Sequence, residues 1–410
     1  MDKVHQRVTG HSLVKLVGLF DLVEPQEVLP EIWPIEITLP ALAMVQMAMF
    51  DLLASFGIGP DVVVGHSAGE TAMLYASGAS SQEMAMEIAI ARGRVMTAVE
   101  KLNGGMAALN CNPTDAKLLI EEVTSTTSGE ILEIACYNSS ESLTLSGSNA
   151  AIERLVELAK KRGISATKLR THVAVHSSMM EECRNAYVKA MEDIFMSHTG
   201  VREPTTTTYS STTGEKWTGA FSSEYYWDNA RQPVLFSGAV ASILKLYPSA
   251  TFVEISPHPV LSPYLHSLGA NDKATFCPMR RSRDPHAFHE QRTLLDFVGK
   301  MANLGYNSMD IFAINQSNDL AVSTPLPAYP FSRKHIPVYS ESTAAFAKHH
   351  KQHNGPLNDQ YLRIGAETHP DIAEHVITNE SIMPAAGFLE MVSQYYNRRF
   401  HNFEKLNSST

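Results

Sequence analysis

The chain has 410 residues and a mass of 45.1 kDa, with 33 Lys+Arg against 43 Asp+Glu and a formal net charge of −10. That length suits about two to three domains, and 44% hydrophobic residues are enough for real cores, which excludes wholesale disorder. The acidic balance excludes a dedicated nucleic-acid binder, which would carry a basic stripe, and speaks against a polybasic membrane patch.

Cys111, Cys136, Cys183 and Cys277 lie far apart with no CxxC pair, so neither a disulfide framework nor a zinc ribbon is expected, and a reducing compartment fits. The opening MDKVHQRVTG lacks the apolar core of a signal peptide. Pro25, Pro30, Pro34 and Pro40 are expected to break any long helix within residues 1–40. Apolar residues then recur at helical spacing from Ala41 to Phe56. Gln46 and Asp51 interrupt that run, which reads as a core helix and not a bilayer span. These features predict a cytoplasmic protein.

GIGP at 57–60 stops the helix, and Asp61-Val62-Val63-Val64 reads as a short buried parallel strand. GHSAGE (65–70) follows, then an Ala/Met/Leu helix and a second helix over 81–96. From 104 the rhythm changes. GGMAALN, EILEIACYN, SLTLSGS and ISATKLR read as strands, and PTDAKLLIEEV and NAAIERLVELAKKRG as helices. The order βαββαβ is the ferredoxin-like pattern, inserted into a larger α/β layer that resumes after VAVHSSMM (173–180). TTTTYSSTT (205–213) suits either a linker or a short strand. Residues 315–360 turn polar and Pro-punctuated. His349, His350 and His353 there have no carboxylate or cysteine at ligand spacing, so a solvated linker and no metal is expected.

The chemistry concentrates at Gly65-His66-Ser67-Ala68-Gly69, a GxSxG pattern between a strand and a helix. Such a nucleophile elbow holds its serine in a strained turn at the positive end of the following helix. The flanking glycines are expected to relieve Cβ clashes, and the amide of Ala68 to face a developing oxyanion. Gly10-His11-Ser12 is a decoy: Val14 replaces the second glycine and no strand precedes it. A serine needs a base. Among 17 histidines, His176 closes VAVH, a strand-end position suited to that role.

Taken with the later blocks, the chain resembles the malonyl/acyl-CoA:acyl-carrier-protein transacylase family, nearest to acyltransferase domains of fungal-type iterative type I polyketide synthases. The likeness covers roughly residues 1–340. It rests on GHSAGE, ARGRVM (91–96), GGMAAL (104–109), CYNSSESLTLSG (136–147), VAVHSS (173–178), YYWDNARQPVLF (225–236) and FVEISPHPVLS (252–262), with LPAYPFSRKH (326–335) resembling the linker that follows such domains. The resemblance implies Ser67 as nucleophile, His176 as its base, and Arg92 as the grip on a substrate carboxylate. It also implies Asn229 as the residue whose backbone carbonyl orients the histidine. His66 and Val175 would line the pocket, and His258 would cap a turn. The implied reaction moves a malonyl unit from malonyl-CoA through a seryl ester to the phosphopantetheine thiol of an acyl carrier protein, with no bound metal or redox cofactor. The implied partners are malonyl-CoA, the carrier protein and other synthase domains, without nucleic acid or membrane.

The implied layout is α/β: a hydrolase-like parallel sheet over 1–103 and 171–300, a ferredoxin-like subdomain over 104–170, and a linker over 301–360. Residues 361–410 resemble the opening of a dehydratase, an incomplete hotdog segment. His375 would be its base and Pro384 its proline, with Asn379 in place of the usual glycine. Relatives carry a GQGxQ strand before the elbow that supplies a second oxyanion donor; no such motif precedes GHSAGE here. Val175 stands where malonyl-selective relatives often have Phe and methylmalonyl-selective ones Ser. The absent strand and the short dehydratase-like piece lead to the expectation of a fragment, while Val175 leaves the choice of extender unit open. Two rivals remain beside the transferase: a serine hydrolase, which has no use for Arg92, and an inactive truncated piece.

Overall fold

A computed structural model describes residues 1–21, 29–125, 129–200, 202–281 and 289–314, with 375–378, 380–381, 385 and 387–389 near the C-terminus. The chain divides into two units, Met1–Ala321 and Val322–Thr410. In the second, β10 (Val376–Ile377) and β11 (Glu380–Ser381) form a two-stranded antiparallel ribbon, labelled here in the order of the full chain. His375 is exposed just before it. The linker histidines, LPAYPFSRKH, Asn379, Pro384 and most of 361–410 lie outside the described residues, so the hotdog expectation meets no structure to test it.

The first unit opens with α1 (Asp2–Thr9) and α2 (Leu13–Val17), then the long α3 (Ile35–Ser55). Pro40 sits inside α3 instead of ending it. Proline there removes one intrahelical hydrogen bond, but the packing of α3 outweighs the loss: Ala41, Ala43, Met44 and Met47 share a buried cluster with Ala85, Met86, Ala89 and Ile90 of α5 (Gln82–Glu100). By length and composition α3 is also apolar enough to cross a membrane; here Met44 and Met47 are buried within the protein fold.

Between α3 and α5 the chain forms β1 (Val62–Val64), a tight turn through Ser67–Gly69, and α4 (Glu70–Ala76). The next six elements are β2 (Gly104–Leu109), α6 (Pro113–Ser125), β3 (Leu132–Ser139), β4 (Ser142–Ser148), α7 (Asn149–Lys161) and β5 (Ala166–Lys168). They build an antiparallel sheet of order β3-β4-β2-β5. Leu119 and Val123 of α6 and Ile152 and Leu155 of α7 pack against the apolar side of that sheet, as helices with apolar stripes must.

The remainder of the unit returns to the larger layer through α8 (Arg184–Ser197), β6 (Thr207–Ser210), β7 (Glu215–Trp217), α9 (Ser223–Arg231), α10 (Phe236–Leu246), β8 (Phe252–Val253), α11 (Ser262–Ser267), β9 (Thr275–Phe276) and α12 (His289–Asn303). The Thr-rich 205–213 segment thus contains a strand, β6, rather than only a linker. β1 pairs with β6 in parallel, and β6 with β7 antiparallel, so this sheet is mixed and not purely parallel. β8 and β9 form a separate parallel pair. Among the described residues, β1 has no strand partner on its other edge. A cavity of about 1250 Å³ is lined by Val62–Val64 and Phe252–Ile255, among others.

Candidate active site

Ser67 has φ of +53°, a left-handed conformation that a non-glycine residue adopts at a cost. Its hydroxyl donates to Nε2 of His176 at 2.6 Å. Gly65 makes the turn possible: a Cβ there would lie 2.5 Å from Cγ and 2.6 Å from Cα of Glu70. Gly69 is different. It is right-handed helical, and a Cβ would meet only Nε2 of Gln46 at 3.7 Å, an ordinary contact. Only the first of the two flanking glycines relieves a clash. The buried Glu70 that fills the space beside Gly65 accepts from the amide and hydroxyl of Ser211 at 2.8 Å each, from Thr212, and from the hydroxyl of Tyr225. Burial pushes its carboxyl pKa up, against those donors. Ala68 follows Ser67 at the start of the helical turn, where first-turn amides lack intrahelical acceptors.

His176 does not end a strand. Residues 173–176 are irregular, and the amide of His176 bonds the carbonyl of Ala230 at 3.0 Å instead of a ladder neighbour. Its φ of +60° is again left-handed. Its Nδ1 donates to the carbonyl of Gln232 at 2.9 Å. A carbonyl only accepts, so Nδ1 carries the proton and Nε2 presents a lone pair to the serine. Burial, with the charges of His66 and Arg92, pushes the imidazole pKa down to about 3 although the Gln232 carbonyl raises it. The ring is therefore neutral at physiological pH.

The orienting carbonyl thus belongs to Gln232 and not to Asn229. The reason is local. Gln232 precedes Pro233, which disfavours helix for the residue before it. Gln232 is extended at φ −80° and ψ 159°, α9 ends at Arg231, and the Gln232 carbonyl serves the histidine. Asn229 works through its side chain: Oδ1 accepts from Nη2 of Arg92 at 2.8 Å, and Nδ2 reaches Thr212 and the Ser67 carbonyl at 3.2 and 3.4 Å.

Arg92, on α5, is 3% exposed. Neutral acceptors hold its guanidinium: Asn229 and the hydroxyl of Thr71 at 2.9 Å, with the Tyr226 ring 5.6 Å away. Its Nε is buried without a partner. His66 bonds Oδ1 of Asn138 at 2.8 Å and packs edge-on against Phe236; burial lowers its pKa. The cavity is lined by Ser67, Ala68, His66, Val175 and His176, among others, but Arg92 and Asn229 are not in its walls. His258 is exposed in its turn. Glu254 organises that turn instead, accepting from the amides of Val260, Leu261 and Ser262. Sequence reasoning missed Gln232, Glu70, Asn138 and Glu254; for Gln232 the following proline was the readable signal. Among the described residues no cluster of three or more His, Cys, Asp or Glu is placed to hold a metal ion.

A paired serine and histidine, a backbone carbonyl behind the histidine and a strained strand-to-helix turn define a nucleophilic site of the acyl-transfer kind. The acyl transferase domain family matches residues 2–300, and the chain belongs to that family. Within it the chain is similar to polyketide-synthase members. It is 44% identical over 98% of its length to the highly reducing polyketide synthase stpks1 of Strobilurus tenacellus, and 31% identical over 88% to valA of Aspergillus terreus. It spans 14% and 15% of those two proteins. Among solved structures, the acyltransferase domain from the second module of the salinomycin polyketide synthase matches with a TM-score of 0.59 and 27% identity, over 72% of this chain and 66% of that one. A loading acyltransferase from the avermectin synthase, at 21% identity and a TM-score of 0.63 over 73% and 89% of the two chains, shares the fold.

Proposed function

We propose that the chain transfers a malonyl unit from coenzyme A to the phosphopantetheine thiol of an acyl carrier protein, in a cytoplasmic polyketide synthase. The observation that carries the reading is Arg92, a buried cation tied to neutral acceptors with its Nε unpartnered. A buried charge without a counter-ion is costly, and a guanidinium grips a carboxylate through two parallel hydrogen bonds. Arg92 lies behind the cavity wall, and a substrate carboxylate reaching past that wall to the guanidinium would supply the missing charge. A hydrolase for neutral acyl groups has no such need.

In this reading residues 65–70 form a nucleophile elbow. Ser67 gives its proton to Nε2 of His176 as its oxygen attacks the thioester carbon, and the Ala68 amide stabilises the oxyanion. The C–S bond then breaks, and the imidazolium returns the proton to the coenzyme A sulfur. In the second half the carrier thiol loses its proton to His176 and attacks the seryl ester. The Ser67 oxygen leaves and recovers that proton. No metal or redox cofactor enters either half. Residues 1–103 and 171–300 form the large subdomain, 104–170 the small one, 301–360 a linker and 361–410 the start of a dehydratase.

The test is incubation with radiolabelled malonyl-CoA, with acetyl-CoA as control, followed by addition of a carrier protein. A malonyl ester on Ser67 that moves to the carrier thiol is expected. Release of free acid at the same rate without a carrier would favour a hydrolase, and no ester at all would sink the transferase reading.

A further inference from the structure

Glu133 lies on β3 of the small antiparallel sheet, outside the line from Ser67 through His176 to Gln232. Its Oε1 accepts from the amide of Ser178 at 2.9 Å and from the hydroxyl of the same residue. Its Oε2 meets Nη1 of Arg231 at 3.5 Å, and Nε of Arg231 also reaches Glu181 at 3.0 Å. Ser178 stands two residues after His176, and Arg231 one before Gln232. One carboxylate therefore touches both chain segments that meet at the imidazole. The same strand holds the next stretch as well: the Tyr137 amide donates to the Val234 carbonyl, and the Val234 amide to the Ala135 carbonyl, each at 2.8 Å.

The base needs such a clamp. His176 keeps a left-handed backbone in a segment without a β-ladder, and a strained conformation of that kind persists only where its surroundings over-determine it. Its ring also depends on a carbonyl from a different segment. Relative movement of the two segments would move Nε2 away from the serine.

We propose that Glu133 is a positioning residue: it fixes the His176 segment against the Arg231–Gln232 segment and so sets the Ser67–His176 distance. This inference rests on the reading of His176 as the base for Ser67. Glu133→Ala removes both arms of the clamp. Glu133→Gln keeps an amide oxygen to accept from Ser178 and loses only the charge toward Arg231, which retains Glu181.

The experiment measures malonyl-CoA loading and, separately, covalent labelling of Ser67 by a fluorophosphonate, which reports the serine–histidine pair without any acyl substrate. For Glu133→Ala, kcat and fluorophosphonate labelling should both fall on the order of 10- to 100-fold with KM little changed, as expected when a reacting group is displaced by about 1 Å. Glu133→Gln should recover most of the loss. Wild-type rates in Glu133→Ala, a change in KM alone, or an equal loss in Glu133→Gln would overturn the proposal. If the unaltered protein takes no malonyl yet reacts with fluorophosphonate and the variants differ as stated, the substrate reading fails and the positioning role stands. If the unaltered protein reacts with neither, both are overturned.

Discussion

The carbonyl of Gln232 accepts the Nδ1 proton of His176 at 2.9 Å, and that contact decides which nitrogen faces Ser67. A carboxylate in the same place would stabilise an imidazolium more strongly. A neutral carbonyl fixes the tautomer while leaving the ring uncharged at rest. The serine and histidine thus form a dyad with a main-chain third member. No side-chain substitution at 232 removes that acceptor, whereas replacing Pro233, which holds Gln232 extended, would free the backbone to move it.

Ser67→Ala should abolish covalent malonyl loading while leaving the circular dichroism spectrum unchanged, because the hydroxyl makes one hydrogen bond and its Cβ is retained. His176→Ala should slow loading by about 10²–10⁴-fold, the usual value of a positioned base. Intact-mass spectrometry after malonyl-CoA exposure reads both. Acyl label persisting on Ser67→Ala would place the nucleophile elsewhere.

Arg92→Ala should lose malonyl loading about 10- to 100-fold more than acetyl loading, the value of a charge-assisted pair of hydrogen bonds in a partly dry site. Arg92→Lys should recover little of the difference, since an ammonium lacks the planar fork. Competition between the two acyl-CoA thioesters measures the ratio. Equal losses for both would leave Arg92 a purely structural tie between Thr71 and Asn229.

Because His176 is held near pKa 3, the loading rate should stay flat from about pH 8 to pH 5, without the step near 6.5 of an ordinary histidine. The stability consequence has a definite sign. Below pH 6.5 the unfolded chain binds a proton at this histidine that the folded chain refuses until about pH 3, so folding stability falls as pH falls through that window. Single-turnover loading and denaturant melts across the range test both statements. A rate that halves near pH 6.5 would mean an exposed base.

Gly65→Ala should destabilise the domain by about 1–3 kcal/mol, the usual cost of forcing atoms into a packed site, because the new Cβ would meet the backbone and side chain of Glu70. Gly69→Ala should be tolerated for stability, since its Cβ meets only a flexible amide at contact distance. Paired urea melts decide it, and equal destabilisation of the two variants would contradict the geometry.

Elements with strong periodicity were legible in the sequence. The alternating strands and two amphipathic helices of 104–168 announced an antiparallel sheet with helices on one face. GHSAGE marked the serine because strand, turn and helix are contiguous in the chain. The histidine's partner was harder, since it comes from 56 residues away and through main-chain atoms that carry no side-chain signature. The resemblance points to the carbonyl of Asn229, but its side chain meets Arg92 and the helix end three residues later supplies the carbonyl. Pro40 misled in the other direction, because the apolar face that α3 presents to α5 outweighs one missing hydrogen bond.

Ser67 follows β1, a strand of three half-buried residues that pairs with β6 on one edge and, among the described residues, with no strand on the other. Local opening free energies follow the number of buried contacts and backbone bonds that an element must surrender. β1 surrenders few. Warming should therefore unseat the serine before the helices and the small sheet melt, so that reactivity is lost over a temperature range where the far-ultraviolet spectrum still looks native. Such heat inactivation would reverse on cooling, since most of the fold would have remained in place to receive the strand again.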